Sequence, residues 1–192
     1  MEYVLSVKTE LLEPYLTKNG LITGSERVIT QLVLEHHEFL PRPQAEEDPS
    51  YRQVIPYIVI CRGGEVFATR RLNKGGESRL HGLISLGVGG HIDRAEDGDG
   101  DDVLMRGLIR ELREEVGMDD VGTLEFRGII NDASNDVGSV HLGFFYTLDT
   151  RGEVRVKETE KLEGMWLSRS QLPELLSSME TWSQIVTQAA LI

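Results

Sequence analysis

The chain has 192 residues, 40% of them hydrophobic and 27% charged, with a net charge of −12. That is enough apolar material for a core, so disorder throughout is excluded, and the length suits one domain with an N-terminal extension. The acidity argues against a general nucleic-acid binder, which needs basic surface, though a metal ion can still bring a phosphate to an acidic site. Cys61 is the only cysteine, so no intrachain disulfide forms. The N-terminus lacks the basic and long apolar regions of a signal peptide. No apolar run reaches the roughly 18 residues that would suggest a membrane span. A soluble, cytoplasmic protein is expected, and a homodimer is compatible with these features.

Residues 1–50 read as an extension packed on a main domain at 51–192. Ser25 is placed to cap a helix with Val28, Ile29, Leu32, Val33 and His36 on one side. His36 and His37 are adjacent, about 100° apart on a helix, which is poor metal-ligand spacing. Pro41-Arg42-Pro43 and the acids after it read as a surface loop.

The run 53–61 reads as a buried strand interrupted early by Pro56, and Gly63-Gly64 turns it into a second strand at 65–69. Arg70, Arg71, Lys74 and Arg79 follow as the best basic cluster in the chain. They suit a substrate phosphate and equally suit balancing nearby acids. The apolar run 83–86 reads as a strand, and Gly87-Val88-Gly89-Gly90 as a turn where backbone can approach a ligand closely.

An acidic loop, 96–102, invites a calcium reading. The EF-hand pattern needs glycine at position six and glutamate at twelve. Counting from Asp97 gives Asp102 and Leu108; counting from Asp93 gives Gly98 and Leu104, so neither register fits. A flexible acidic loop is the reading, with Asp102 capping the next helix.

That helix carries Leu104, Leu108, Leu112 and Val116, with Met105 and Ile109, as an apolar stripe. Glu111, Glu114 and Glu115 share the opposite face, Arg110 is spaced to pair with Glu114, and Gly117 is the expected stop. Acids at a helix C-terminus each cost about 0.3–1 kcal/mol relative to a basic residue. A solvated acidic face accounts for such a cluster; so does a bound divalent cation, which takes carboxylate oxygens.

The second half of this stretch, Arg110-Glu111-Leu112-Arg113-Glu114-Glu115-Val116-Gly117-Met118, resembles the Nudix box at every fixed position. The full box is a glycine, five residues, an acid, seven residues, then Arg-Glu-apolar-any-Glu-Glu-any-Gly-apolar. Counting back from Arg110 puts Asp102 at the first acid and Glu96 at the glycine, so Gly89-Gly90 lie six residues too early. We read a six-residue insertion within 94–101. Flanking strands and the Trp166 region extend a looser resemblance over 52–180.

The resemblance implies an α/β fold, an α/β/α sandwich around a mixed sheet, and hydrolysis of a small-molecule diphosphate with Mg2+ or Mn2+. By matched positions it implies Glu111, Glu114 and Glu115 as metal ligands, with the Gly89 carbonyl and Asp102 as further members. Arg110 would hold a neighbouring carboxylate in place. The base would be Glu111 or a glutamate outside the box, such as Glu158, Glu160 or Glu163 in the loop before Met165-Trp166-Leu167. Tyr57, Phe67 and Trp166 are aromatic candidates for a base platform and equally for core.

Further on, strands are expected at 124–130 and 139–146, where His141 reads as structural. Ser168–Gln171 and Thr181-Trp182-Ser183-Gln184 have capping-box spacing, so two C-terminal helices should follow them. Two rivals stand beside the hydrolase. A regulatory module would keep the fold without catalysis. Isopentenyl diphosphate isomerase resembles this architecture but has a cysteine just before a Gly-His pair, where Gly89 stands here.

Overall fold

The computed structural model describes residues 1–72 and 82–189. In chain order the elements begin β1 (Tyr3–Lys8), α1 (Thr9–Leu12), β2 (Gly20–Ile22), α2 (Glu26–His36), β3 (Glu38–Pro41) and α3 (Arg42–Ala45). Next come β4 (Tyr51–Arg62), β5 (Glu65–Arg71), β6 (Ile84–Ser85), β7 (Gly87–Val88), α4 (Arg94–Asp97) and α5 (Val103–Glu115). The rest are β8 (Val116–Met118), β9 (Thr123–Asn131), α6 (Asp136–Ser139), β10 (His141–Asp149), β11 (Val154–Val156), β12 (Leu162–Ser168), α7 (Leu172–Leu175) and α8 (Thr181–Gln188). Helices alternate with a mixed sheet, so the class is α/β. The chain divides into two compact units: Met1–Tyr57, Gly89–Arg110 and Arg127–Phe145 form the first, and Ile58–Val88, Glu111–Phe126 and Tyr146–Ile192 the second.

In the first unit the sheet runs β4-β10-β9-β2, and β1 joins β3 to β4. Gln53 N–H donates to Val140 O, and four residues on Tyr57 packs against Phe145, so β4 and β10 run parallel. Three of the strands come from the first fifty residues, where the sequence suggested a helix and loops. At three to six residues each, they are too short to display a period of their own. Pairing and burial of Val4, Leu5 and Val7 hold β1 instead. The α2 stripe is narrower than expected: Ile29 and Val33 are buried, but Val28 is exposed. Pro41 and Pro43 do not form a loop. They open α3, where a missing N–H costs nothing.

In the second unit β5 lies between β12 and β4, and β6 pairs with β5. The β4–β5 hairpin closes on Gly63-Gly64, with Gly63 at φ +59°, the left-handed geometry such a tight turn needs. β4 continues through Pro56 without a break, and its apolar, β-branched run is buried almost throughout. Gly87-Val88 is strand, paired with Val59 and Ile58, rather than turn. Gly117 does not stop the helix. α5 ends at Glu115, and Gly117 sits inside β8, opposite Arg155 of β11. The Ser168–Gln171 capping box forms with both arms. At α8 the cap position is Glu180, one residue before the expected Thr181.

Candidate active site

Helix α5 begins in the first unit, where Val103, Leu104 and Leu108 are buried. Met105 and Ile109 are 40% and 37% exposed, so they leave the expected stripe. Gly107 allows close approach: a Cβ there would lie 2.7 Å from Ile92 Cγ1 and 3.4 Å from Asp97 Oδ2. Gly89 is likewise obligatory, since a Cβ would overlap the Pro56 carbonyl oxygen. Gly89→Ala is expected to cost on the order of 2 kcal/mol through overpacking, read by urea unfolding.

Arg110 is clamped rather than solvated. Its Nε donates to Asp97 Oδ1 and its Nη2 to Asp97 Oδ2, both at 2.9 Å. Nη2 also donates to His91 O at 2.7 Å, and Glu96 Oε2 lies 3.3 Å from Nε. The Asp97 side chain is 2% exposed, and Asp93 N–H donates to its Oδ2 as well. Sequence counting missed this partner. The signal was present: Gly90, five residues and Glu96 complete the first half of the box, and the six extra residues fall after that acid. α4, capped by Asp93, carries Glu96 and Asp97 to Arg110.

The acidic loop 98–102 makes several side-chain bonds. Arg106 Nε donates to Asp97 O at 2.6 Å, Nη2 donates to Asp99 O at 2.8 Å, and Nη1 pairs with the Asp102 carboxylate. Asp99 Oδ1 meets His37 Nε2 at 2.9 Å. Asp102 is thus an exposed partner of Arg106. His36 is exposed. His141 and His91 face each other, Nε2 to Nε2, at 3.3 Å. Burial, then Arg42, His141 and Arg110, push His91 down to about 3, so it is neutral at physiological pH.

The carboxylate cluster belongs to the second unit. Glu111 is buried, Glu115 partly buried and Glu114 exposed. Burial pushes the Glu115 carboxyl up to about 7; Glu111 adds to this, Arg71 opposes it, and Glu158 and Glu180 add further. Three further acids and one arginine therefore act on Glu115. Among the base candidates, Glu158 acts on Glu115 and pairs with Lys161 Nζ at 3.0 Å. Glu160 is exposed, and Glu163 is an exposed β12 residue opposite Arg70. Lys74 and Arg79 lie outside the described residues. Sequence reasoning gave no role to Glu180, which stands just before the Thr181–Gln184 motif.

Among the described residues, no three His, Cys, Asp or Glu side chains are gathered closely enough to enclose a metal ion. The donor chemistry still fits one: the groups are carboxylates, and a divalent cation would offset both the burial that chiefly raises Glu115 and the charge of Glu111 that adds to it. An open groove of about 620 Å³ along β11 and β12 is lined by Phe67, Leu72, Val156, Leu162, Glu163 and Gly164. Val156 pairs with Val116, next to Glu115, and Lys157 N–H donates to Glu115 O at 2.9 Å. Tyr57 and Phe67 are buried, and Trp166 lies under Arg62, 4.1 Å from its ring centre.

The family model described as the NUDIX domain matches residues 51–189. Protein YmaB of Bacillus subtilis (strain 168) is 40% identical over 181 residues, 89% of this chain and 87% of that protein. Tm1382, described as a candidate Nudix hydrolase, has a crystal structure that matches at TM-score 0.85 and 32% identity, over 99% of this chain and 98% of its own. A MutT NUDIX hydrolase from Burkholderia pseudomallei matches at TM-score 0.52 and 22% identity, over 70% and 95% of the two chains, a likeness of fold alone.

Proposed function

The chain belongs to the Nudix family, and on that premise we propose that it cleaves the diphosphate of a nucleoside diphosphate linked to a second group, using Mg2+ or Mn2+. The family makes it a pyrophosphohydrolase acting on small molecules. The observation that supports the finer reading is Glu115, whose carboxyl is pushed up to about 7 by burial first and then by the neighbouring charge of Glu111, with Glu158 and Glu180 adding to it and Arg71 opposing it. Packing alone gives no reason to gather those charges.

Glu111, Glu114 and Glu115 are the residues that would hold the ion, because they sit within about one turn at the end of α5. A bound divalent ion neutralises phosphate oxygens and acidifies water. Arg71 supplies positive charge that reaches Glu115 and suits a phosphate oxygen. Arg110, held by Asp97, fixes the helix one residue before Glu111. Asp102, already paired with Arg106, is left out of the donor set. The open groove along β11 and β12 offers room for the group carried by the diphosphate.

The test is a panel of ADP-ribose, nucleotide sugars, dinucleoside polyphosphates and nucleoside triphosphates, each with Mg2+, Mn2+ or EDTA. Metal-dependent release of a nucleoside monophosphate or phosphate from at least one compound is expected. The open spacing of the carboxylates favours a second reading, a module that binds the diphosphate without cleaving it. Saturable binding of a panel compound with no product would select that reading.

A further inference from the structure

The segment from Gly89 to Asp93 is pinned at several points within the first unit. Gly89 lies against the Pro56 carbonyl, with no room for a Cβ. Ile92 O accepts Leu5 N–H at 2.9 Å, and Asp93 forms a bridge to Val4. Between them stands His91, whose backbone carbonyl accepts from Arg110 Nη2 at 2.7 Å. Arg110 immediately precedes Glu111 on α5. A shift of the His91 carbonyl is thus passed to the carboxylate face through one guanidinium and the helix that carries it.

The His91 ring is held by His141. His141 opens β10, and its Nδ1 lies 2.6 Å from Val137 O. A carbonyl only accepts, so Nδ1 carries a proton there. Burial lowers His141 from the ordinary histidine range, as it does His91, so both rings are neutral. His141 Nε2 is then a bare acceptor, and it lies 3.3 Å from His91 Nε2. His91 is therefore the donor, protonated on Nε2, and the network assigns the tautomer of both rings. The bonds join end to end: His141 to Val137 O, His91 to His141, and Arg110 to His91 O. A polar side chain on this face does not bond by default. Gln53 N–H donates to Val140 O and Tyr57 packs on Phe145, so Gln53 lies beside His141 on the same face. It is fully buried, yet neither of its amide atoms has a partner.

We propose that His141 is a positioning residue of the hydrolase: through the His91 ring it holds the His91 carbonyl on Arg110, and Arg110 in turn orients Glu111 for the metal. Its effect on turnover rests on the hydrolase reading above. Asp97 and His91 O divide the work on the guanidinium. Asp97 supplies the charge, and His91 O accepts from Nη2 beside Asp97 Oδ2, at 2.7 and 2.9 Å. Losing the histidine pair leaves the charge pair intact and frees the carbonyl to drift, so position suffers before stability does.

The experiment uses the full-length protein and the panel compound that the wild type turns over fastest. His141→Phe keeps a flat ring and loses both bonds. His141→Gln offers Oε1 where Nε2 accepts, whereas the shorter amide of His141→Asn does not reach His91. Mn2+ affinity and kcat should fall about 10–100-fold in the Phe and Asn variants, with KM unchanged, and recover most of the wild-type values in His141→Gln. Gln53→Met, beside His141, should change neither. Wild-type behaviour in His141→Phe, equal losses in the Gln and Phe variants, or an equal loss in Gln53→Met would each overturn the assignment. Proton–nitrogen NMR of the metal-free protein gives a readout that needs neither metal nor substrate. It should place the His141 proton on Nδ1 and the His91 proton on Nε2, and solvent exchange of Arg110 Nε–H should quicken in His141→Phe but not in His141→Gln. Unchanged exchange in His141→Phe would defeat the positioning role. Quickened exchange in a protein that turns over nothing in the panel would defeat the hydrolase reading instead.

Discussion

Glu115→Gln is expected to weaken Mn2+ binding at least about 100-fold, since even groups that only support a metal ligand are worth 10–100-fold. The effect should depend on pH. The Glu115 carboxyl titrates near 7 in the folded chain, against 4.5 ordinarily. Metal must displace its proton below that value, so wild-type affinity should climb as pH rises through about 7. In Glu115→Gln that component of the climb should vanish. Stability of the metal-free protein should move the opposite way. A folded-state value above the unfolded one means that the folded chain holds this proton more tightly. The resulting stabilisation is complete below about pH 4.5 and is lost as pH rises through 7. The loss should be on the order of 2 kcal/mol after allowance for partial exposure. Saturating Mn2+ should offset it at high pH. Urea unfolding between pH 4.5 and 8, with and without Mn2+, measures both. A metal-free stability that is identical in wild type and Glu115→Gln across this window would contradict the assignment.

Asp97→Ala should be the most damaging single change to stability, at about 3–5 kcal/mol, because it strands a largely buried guanidinium. Asp97 accepts two bonds from Arg110 and one from Asp93 N–H. Glu96 cannot replace it fully, being exposed and 3.3 Å from Nε. Removing both charges, as Asp97→Leu with Arg110→Met, should recover part of the loss, since an apolar pair carries no stranded charge. Urea unfolding of the three proteins decides it. A cost below about 1 kcal/mol for Asp97→Ala would place the pair among weak surface ion pairs.

The Glu111, Glu114 and Glu115 face was legible because helical spacing is local and fixed. Asp97 was missed because the insertion was counted ahead of the box's first acid; Gly90, five residues and Glu96 mark that acid, and folding shows that its neighbour Asp97 takes Arg110. The strand at 116–118 was hidden by Gly117, whose usual meaning as a helix stop was overridden by pairing with β11. The three early strands depend on partners far along the chain, such as Ser6 with Gln53 and Leu21 with Ile130. Glu180 was missed because Thr181 to Gln184 has capping-box spacing, while the residue that occupies the cap position sends its carboxylate to Ser85 and Ser183.

The central claim is that a divalent ion held by the α5 carboxylates drives diphosphate hydrolysis. Its most direct test is one Mn2+ titration of the metal-stripped protein, with bound Mn2+ read by electron paramagnetic resonance and hydrolysis of the best panel compound read in the same samples. Binding and turnover are expected to rise together to a common midpoint, and both to collapse in Glu115→Gln. Full turnover in EDTA, or turnover that saturates while the wild type and Glu115→Gln bind Mn2+ alike, would contradict the claim.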